Sequence, residues 1–177
     1  SDLTALLWAV DKNIAKLNTA QYLVDHKANV NVKDGKEGYS PLHWVTKHGN
    51  LEIAKYLIEK GARLEAKTYR GETPAHLAAA TNSFTLLEYY IDRRGANFDI
   101  FEAAQNGYTN TVKYFIERKR KSANAFDQSG WTTLHRAAYG GYLETVKYLV
   151  EKKGANVNAK NNQGRTPATA LHAATEK

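Results

Sequence analysis

The sequence predicts an all-α fold, a right-handed solenoid of stacked helix-turn-helix pairs joined by short β-hairpin loops, because three registers repeat in phase along it. Tyr22-Leu23-Val24, Tyr56-Leu57-Ile58, Tyr89-Tyr90-Ile91, Tyr114-Phe115-Ile116 and Tyr148-Leu149-Val150 recur at intervals of 34, 33, 25 and 34 residues. A second set precedes them: Thr4-Ala5-Leu6-Leu7, Ser40-Pro41-Leu42-His43, Thr73-Pro74-Ala75-His76, Thr132-Thr133-Leu134-His135 and Thr166-Pro167-Ala168-Thr169. A third follows, aligned as Lys27-Ala28-Asn29, Gly61-Ala62-Arg63, Gly95-Ala96-Asn97, Ser122-Ala123-Asn124 and Gly154-Ala155-Asn156. Self-similarity at one period marks units that bury a continuous core only by stacking.

Each register has a mechanical reading. Ser or Thr before Pro starts the first helix of a unit: the hydroxyl accepts from orphan N–H groups, and Pro at the first helical position forfeits no needed bond. Small pairs such as Ala78-Ala79 and Ala137-Ala138 let helices lie close, and Gly49, Gly107 and Gly141 end that helix. The second helix carries apolar residues in helical rhythm, Ile53, Ala54, Leu57 and Ile58 in one unit and Val112, Phe115 and Ile116 in another. Gly61, Gly95 and Gly154 supply its left-handed stop. Thr68-Tyr69-Arg70-Gly71, Asp127-Gln128-Ser129-Gly130 and Asn161-Asn162-Gln163-Gly164 join the units and read as type I turns, polar at the start with Gly last.

These registers resemble the ankyrin repeat family, whose unit of about 33 residues carries a T-P-L-H-x-A signature. Ser40-Pro41-Leu42-His43 and Thr73-Pro74-Ala75-His76 lie close to it, and Thr132-Thr133-Leu134-His135-Arg136-Ala137 departs at one position. The resemblance covers nearly the whole chain. It implies a single repeat domain over 1–177, with repeats near 1–33, 34–66, 67–97, 98–124, 125–158 and a partial or capping unit at 159–177. It further implies that His43, His76 and His135 are structural imidazoles bonded near the Ser or Thr cap.

Irregular units carry further expectations. In the first, Ala9 to Lys27 is two residues longer than Val45 to Gly61, and Lys27 stands at the stop. A Lys in left-handed geometry costs roughly 1 kcal/mol, so this helix is expected to end differently. From Gly95 to Ala103 is nine residues shorter than from Gly61 to Ala78, so the fourth unit loses its hairpin finger. Asp99-Ile100-Phe101-Glu102 replaces the Thr-Pro start with an acidic cap. The sixth unit stops after Ala173-Ala174, as a terminal cap or as part of a longer array.

Composition then excludes several functions. The 177 residues are 42% hydrophobic and 24% charged with mean hydropathy −0.59, which describes a folded, soluble chain. The longest apolar run, Ala5 to Val10, is far too short to span a membrane, and Ser1-Asp2-Leu3 reads as a boundary, not a signal peptide. Without cysteine there is no disulfide, thiolate nucleophile or Cys-ligated zinc. His43, His76 and His135 fall a repeat apart, too far to share an ion, while His26, His48 and His172 are expected on solvated surface. No phosphate loop, H-E-x-x-H or G-x-S-x-G motif occurs. Glu52, Glu59, Glu88, Glu144 and Glu151 sit beside Lys on second helices as a solvated, ion-paired face. No cofactor, no metal and no catalysis are expected.

What remains is surface. In the family, partners meet the finger tips and the inner face of the first helices, a concave wall. Carried over by position, the finger residues are Lys33, Lys36 and Tyr39, then Lys67, Tyr69, Arg70 and Glu72, then Phe126, Gln128 and Trp131, then Lys160, Gln163 and Arg165. First helices add Trp44, Lys47 and His48, then Ala80 and Thr81, then Gln105, then Arg136 and Tyr139. Trp, Tyr and Arg most often dominate binding energy. Tyr22, Tyr56, Tyr89, Tyr114 and Tyr148 read as inter-repeat packing with each hydroxyl reaching water.

The net charge of +7 and pI near 9.4 favour an acidic partner. The excess grows along the chain, from +1 over residues 1–66 (9 basic, 8 acidic) to +3 over 67–125 (9 and 6) and +3 over 126–177 (7 and 4). Arg118-Lys119-Arg120-Lys121 lies at a helix exit, where basic residues suit the dipole. The sequence thus reads as a monomeric, cytoplasmic, non-catalytic scaffold for a protein with an acidic segment, a nuclear or host-cell setting being the other option. Two alternatives stand beside it: a polyanion binder for nucleic acid or anionic membrane, against which no RRM-like or helix-turn-helix signature is present, and the targeting domain of a larger enzyme or effector.

Overall fold

Helices of five to nine residues nucleate too poorly to stand alone, so stability has to come from stacking. The computed structural model describes residues 4–11 and 17–169, and the chain divides into two compact bodies, Ser1–Asn97 and Phe98–Lys177. The first body contains α1 (Ala5–Asp11), α2 (Leu17–Asp25), α3 (Pro41–Lys47), α4 (Leu51–Glu59), α5 (Pro74–Ala80) and α6 (Phe84–Glu88), the last continuing as a π-helical turn over Tyr89–Arg93. The second contains α7 (Ile100–Gln105), α8 (Thr109–Glu117), α9 (Thr133–Tyr139) and α10 (Leu143–Lys147), which continues as a π turn over Tyr148–Lys152.

First helices pack on first helices, α1 on α3 and α3 on α5 in one body and α7 on α9 in the other; α2 packs on α4, and α8 on α10. Leu6, Leu7, Leu42, Ile53, Leu57, Leu87 and Tyr90 fill the first core, and Ala103, Val112, Phe115, Leu134 and Leu149 the second. Each fully buried Leu or Ile contributes about 1.5–3 kcal/mol. The buried Tyr90 hydroxyl meets Thr46 Oγ1 at 2.6 Å, and Thr46 donates to the Leu42 carbonyl.

The helix starts follow their sequence. Ser40, Thr73 and Thr132 are extended caps, and the Nδ1 atoms of His43, His76 and His135 lie 2.8 Å from the cap hydroxyls. His43 Nδ1 also accepts from the Ser40 N–H, so its Nε2–H donates to the Glu72 carbonyl, 3.1 Å away; His135 Nε2 meets the Arg165 carbonyl at 2.9 Å. His43 and His135 thereby tie their helices to the next finger. Burial pushes His43 down to about 4, with the Glu72 carbonyl opposing. Where the fourth finger is missing, Asp99 Oδ1 accepts from the N–H groups of Phe101 and Glu102, both at 2.9 Å.

The helix ends correct two expectations. Gly61, Gly95 and Gly154 are left-handed, but so is Lys27, at φ 73. Its N–H donates to the Val24 carbonyl and that of Ala28 to Leu23, as Gly61 and Ala62 do to Ile58 and Leu57. The Lys-stopped helix therefore ends as the Gly-stopped one does. In the fourth unit the stop is Arg120, at φ 56, and the Lys121 N–H reaches the Phe115 carbonyl just as Ala155 reaches Leu149. The register Ser122-Ala123-Asn124 was thus aligned two residues late. From Tyr89 to Gly95 and from Tyr148 to Gly154 is one residue more than from Tyr56 to Gly61, and the extra residue is absorbed as a π turn. Asn82, at φ 55, takes the role that Gly49 has in the preceding unit.

The hairpins are tight turns with little sheet. Gly71, Gly130 and Gly164 each donate to the carbonyl three residues back, and Thr68, Asp127 and Asn161 close the loops onto Glu72, Trp131 and Arg165. Among the described residues the extended pairing is the isolated bridge between Phe126 and Thr132. The tyrosine ladder also differs from expectation. Tyr56 and Tyr148 donate to Asp25 and Glu117 of the preceding repeat at 3.2 and 3.0 Å, and Lys60 and Lys153 sit 3.0 Å from those same carboxylates. The hydroxyls find carboxylates because the acid of one second helix falls opposite the Tyr and Lys of the next.

Candidate binding surface

Two turns and two helices build parallel clusters at equivalent positions, one in each body. In the first, Asp34 sits 3% exposed at the head of its turn, and its Oδ1 accepts from the N–H groups of Lys36, Glu37 and Gly38. Its Oδ2 accepts the Trp44 indole N–H at 3.0 Å. Burial alone would raise this carboxyl; the donors of Glu37, Trp44 and Gly38 outweigh it and hold the group below its ordinary range. Trp44 then meets Tyr39 edge-on at 5.2 Å, and Lys47 Nζ lies 4.8 Å above the Trp44 ring and 5.7 Å from that of Tyr39.

In the second body Asp127 takes the same place. Its Oδ1 accepts from the Ser129 and Trp131 N–H groups, while Oδ2 accepts from Arg136 Nε at 3.0 Å and pairs with Arg136 Nη2. Burial again opposes the charge, and Arg136 with these N–H groups overcomes it, so the carboxyl lies below its usual value. The Arg136 guanidinium stacks 5.0 Å from the Trp131 ring, Nη1 donates to Gln105 Oε1 at 2.8 Å, and Tyr139 meets Trp131 edge-on at 5.6 Å. Tyr39, Trp44 and Lys47 in one body thus answer to Trp131, Arg136 and Tyr139 in the other.

Beside this second cluster lies a cleft of ≈ 580 Å³. Trp131, Arg136, Tyr139 and Gln105 form one wall, and Ser129, Asn162, Gln163 and Arg165 complete it. The fingers stand close because Gly130 backs directly onto Asn162, leaving no room for a side chain.

The chain matches the family model described as ankyrin repeats (3 copies) over residues 6–102 and 100–177. The chain belongs to the ankyrin repeat family. Among curated relatives, 146 residues are 27% identical to palmitoyltransferase AKR1 of Lachancea kluyveri, covering 75% of this chain but 19% of that protein. The chain therefore spans about a fifth of that relative. Among solved structures, a chain from the complex of the predatory endopeptidase Bd0816 of Bdellovibrio bacteriovorus with the immunity protein Bd3460 is 28% identical, with TM-score 0.59 over 99% of this chain and 94% of that one. The ankyrin repeat protein EF0377 is 26% identical with TM-score 0.59, covering 100% and 98%. Ankyrin repeats are generally protein–protein interaction modules, and a fold of this kind is typically non-catalytic.

The repeats distribute the sequence-predicted residues unevenly. Tyr39, Trp44 and Lys47 come together, as do Trp131, Arg136, Tyr139 and Arg165. Tyr69 is 65% exposed yet packs flat on Gly38, where a Cβ would lie 2.9 Å from the ring. Lys67 contributes a carbonyl to Lys33 Nζ at 2.6 Å, Arg70 pairs with Glu37 at 3.6 Å, and Glu72 offers its carbonyl to His43. Phe126 is 57% exposed and stands outside the cleft. His48 is half-buried and stacks 6.1 Å from Trp44, which corrects its expected solvated position; His26 is exposed on Tyr22, and His172 lies outside the described residues. The basic run is divided in use, Arg120 serving as the helix stop and Lys119 Nζ lying 5.9 Å from the Tyr114 ring. Asp34, Asp127 and Asn162 were missed as parts of the surface; an Asp heading the turn was the available signal for the first two. Among the described residues no group of three His, Asp or Glu is placed to hold a metal, and no helix is long and apolar enough to cross a membrane.

Proposed function

We propose that the chain is a monomeric, non-catalytic protein-binding module that meets its partner through the turn and first-helix face of each body. One observation carries this. The same three repeat positions hold an interlocked cluster of aromatic and cationic side chains twice, Tyr39, Trp44 and Lys47 and then Trp131, Arg136 and Tyr139, all only partly buried or exposed. The third unit has Glu72, Leu77 and Ala80 there and still packs α5 on α3, so packing does not demand the aromatic set. Rings and guanidinium already fixed by Asp34 and Asp127 lose little freedom on binding, and residues of these types dominate interface energies.

The partner fitting this face presents acidic and bulky apolar residues, since the +7 surplus speeds approach of an acidic segment. A similar chain occurs in an endopeptidase–immunity protein complex, which supports a protein as partner. The setting is the cytoplasm, of the producing cell or of a host. Capture from a lysate of the source organism tests the reading, using the wild type, a combined Tyr69→Ala, Arg70→Ala and Trp131→Ala variant, and a Glu52→Ala, Glu151→Ala control. Partners lost only from the first variant, with circular dichroism unchanged, support it. Partners retained by that variant and lost from the control overturn it.

A further inference from the structure

We infer that the cleft between Trp131 and Arg165 seats an acidic side chain of a partner peptide, with a neighbouring bulky apolar residue lying against Trp131 and Tyr139. This rests on the protein-binding reading above and names the recognised chemistry. The Arg136 charge is already matched by Asp127, and its remaining N–H reaches Gln105. Arg165, on the opposite wall, is exposed and forms no side-chain ion pair among the described residues. Among the described residues no carboxylate lines the cleft; its other polar groups are the neutral Gln105, Ser129, Asn162 and Gln163. The uncompensated charge is therefore one cation facing an aromatic wall. Guanidinium prefers a carboxylate because two parallel N–H groups match its two oxygens. A space of ≈ 580 Å³ admits a few residues of extended chain.

The walls are preorganised in unequal degree. Trp131 is held by Arg136 on one face and by Tyr139 at an edge, so the apolar half of the site exists before the partner arrives. The Arg165 backbone is fixed too, its N–H donating to Asn161 Oδ1 at 2.9 Å and its carbonyl meeting His135 Nε2 at 2.9 Å. Its exposed guanidinium completes the grip.

Phage-displayed peptide selection on the full chain, followed by fluorescence anisotropy with the enriched peptides, tests this. Selection on the wild type is expected to enrich Asp or Glu within a residue or two of an aromatic or aliphatic side chain. Arg165→Gln and Trp131→Ala should each weaken the enriched peptide by about tenfold or more, while Lys152→Gln changes it little. Arg165 is exposed, so Arg165→Gln keeps the fold even where Trp131→Ala does not. Selection on Arg165→Glu should turn the preference toward Lys or Arg, which a merely structural arginine would not do. Enriched peptides that ignore Arg165 but depend on Trp44 and Tyr69 overturn this assignment and leave the protein-binding reading standing. A site that inorganic phosphate or single-stranded DNA occupies in place of the peptides overturns both.

Discussion

Replacing Lys27 by Gly should stabilise the protein, and the size of the gain follows from its backbone. Lys27 holds φ 73 with an exposed side chain, at the position that Gly occupies in three other units. An L-residue in that region costs about 1–2 kcal/mol. Glycine adds unfolded-chain freedom worth about 0.4–1 kcal/mol in the opposite direction. The net gain is about 0.5–1 kcal/mol, or about 1–4 °C in Tm for a chain of this size. Urea unfolding followed by circular dichroism should show a higher midpoint for Lys27→Gly with unchanged slope. Lys27→Ala keeps the Cβ and should gain nothing, which separates the backbone effect from loss of a charge. Arg120→Gly should match Lys27→Gly in the second body, and Asn82→Gly should gain less because Asn tolerates this geometry. A midpoint unmoved by Lys27→Gly, or moved equally by Lys27→Ala, would refute the reasoning.

Three further outcomes follow from buried and half-buried polar groups. Tyr90→Phe leaves Thr46 its Leu42 partner and should cost about 1 kcal/mol, whereas Thr46→Val strands the Tyr90 hydroxyl and should cost about 1–3 kcal/mol; equal costs in chemical unfolding, or strict additivity in the double variant, would contradict the pair. Because burial holds His43 at about 4 against 6.5 in the unfolded chain, the unfolded state takes up the proton first. Native stability should therefore fall as pH drops from the unfolded value toward the folded one, by about 2 kcal/mol near pH 5; urea midpoints read this loss, and a His43→Gln variant with the same slope would count against it. Asp127→Ala strips Arg136 and two turn N–H groups of their acceptor and should cost about 1–3 kcal/mol, with Asp127→Asn costing less because the turn acceptor survives. Thermal unfolding that ranks them the other way would place the weight on the charge pair.

Helix starts and most stops were legible in the sequence because each depends on one or two adjacent residues: Ser40-Pro41 and Thr73-Pro74 for starts, Gly61, Gly95 and Gly154 for stops. Lys27 was aligned at the stop but expected to end its helix differently, and Arg120 was not read as a stop, because stacking forces a conformation that local preference opposes. That same override hid the two-residue offset at Ser122, since only the bond from Lys121 to Phe115 fixes the register. The surface was legible as a set of positions, not as an arrangement. Trp131, Arg136 and Tyr139 could be named from the repeat, but Asp127 as the anchor between turn and helix depends on geometry that brings residues nine apart within hydrogen-bond reach. Tyr56 and Tyr148 were placed correctly between repeats, while the carboxylates of Asp25 and Glu117 that receive them lie some thirty residues upstream, beyond any local pattern.

The central claim is that partners meet the turn and first-helix face. Photo-crosslinking from p-benzoylphenylalanine placed singly at positions 44 and 131, and at positions 52 and 151 on the second helices, tests it most directly. The account predicts one discrete adduct of the same partner from 44 or 131 and none from 52 or 151. Adducts formed only from the second-helix positions would contradict it.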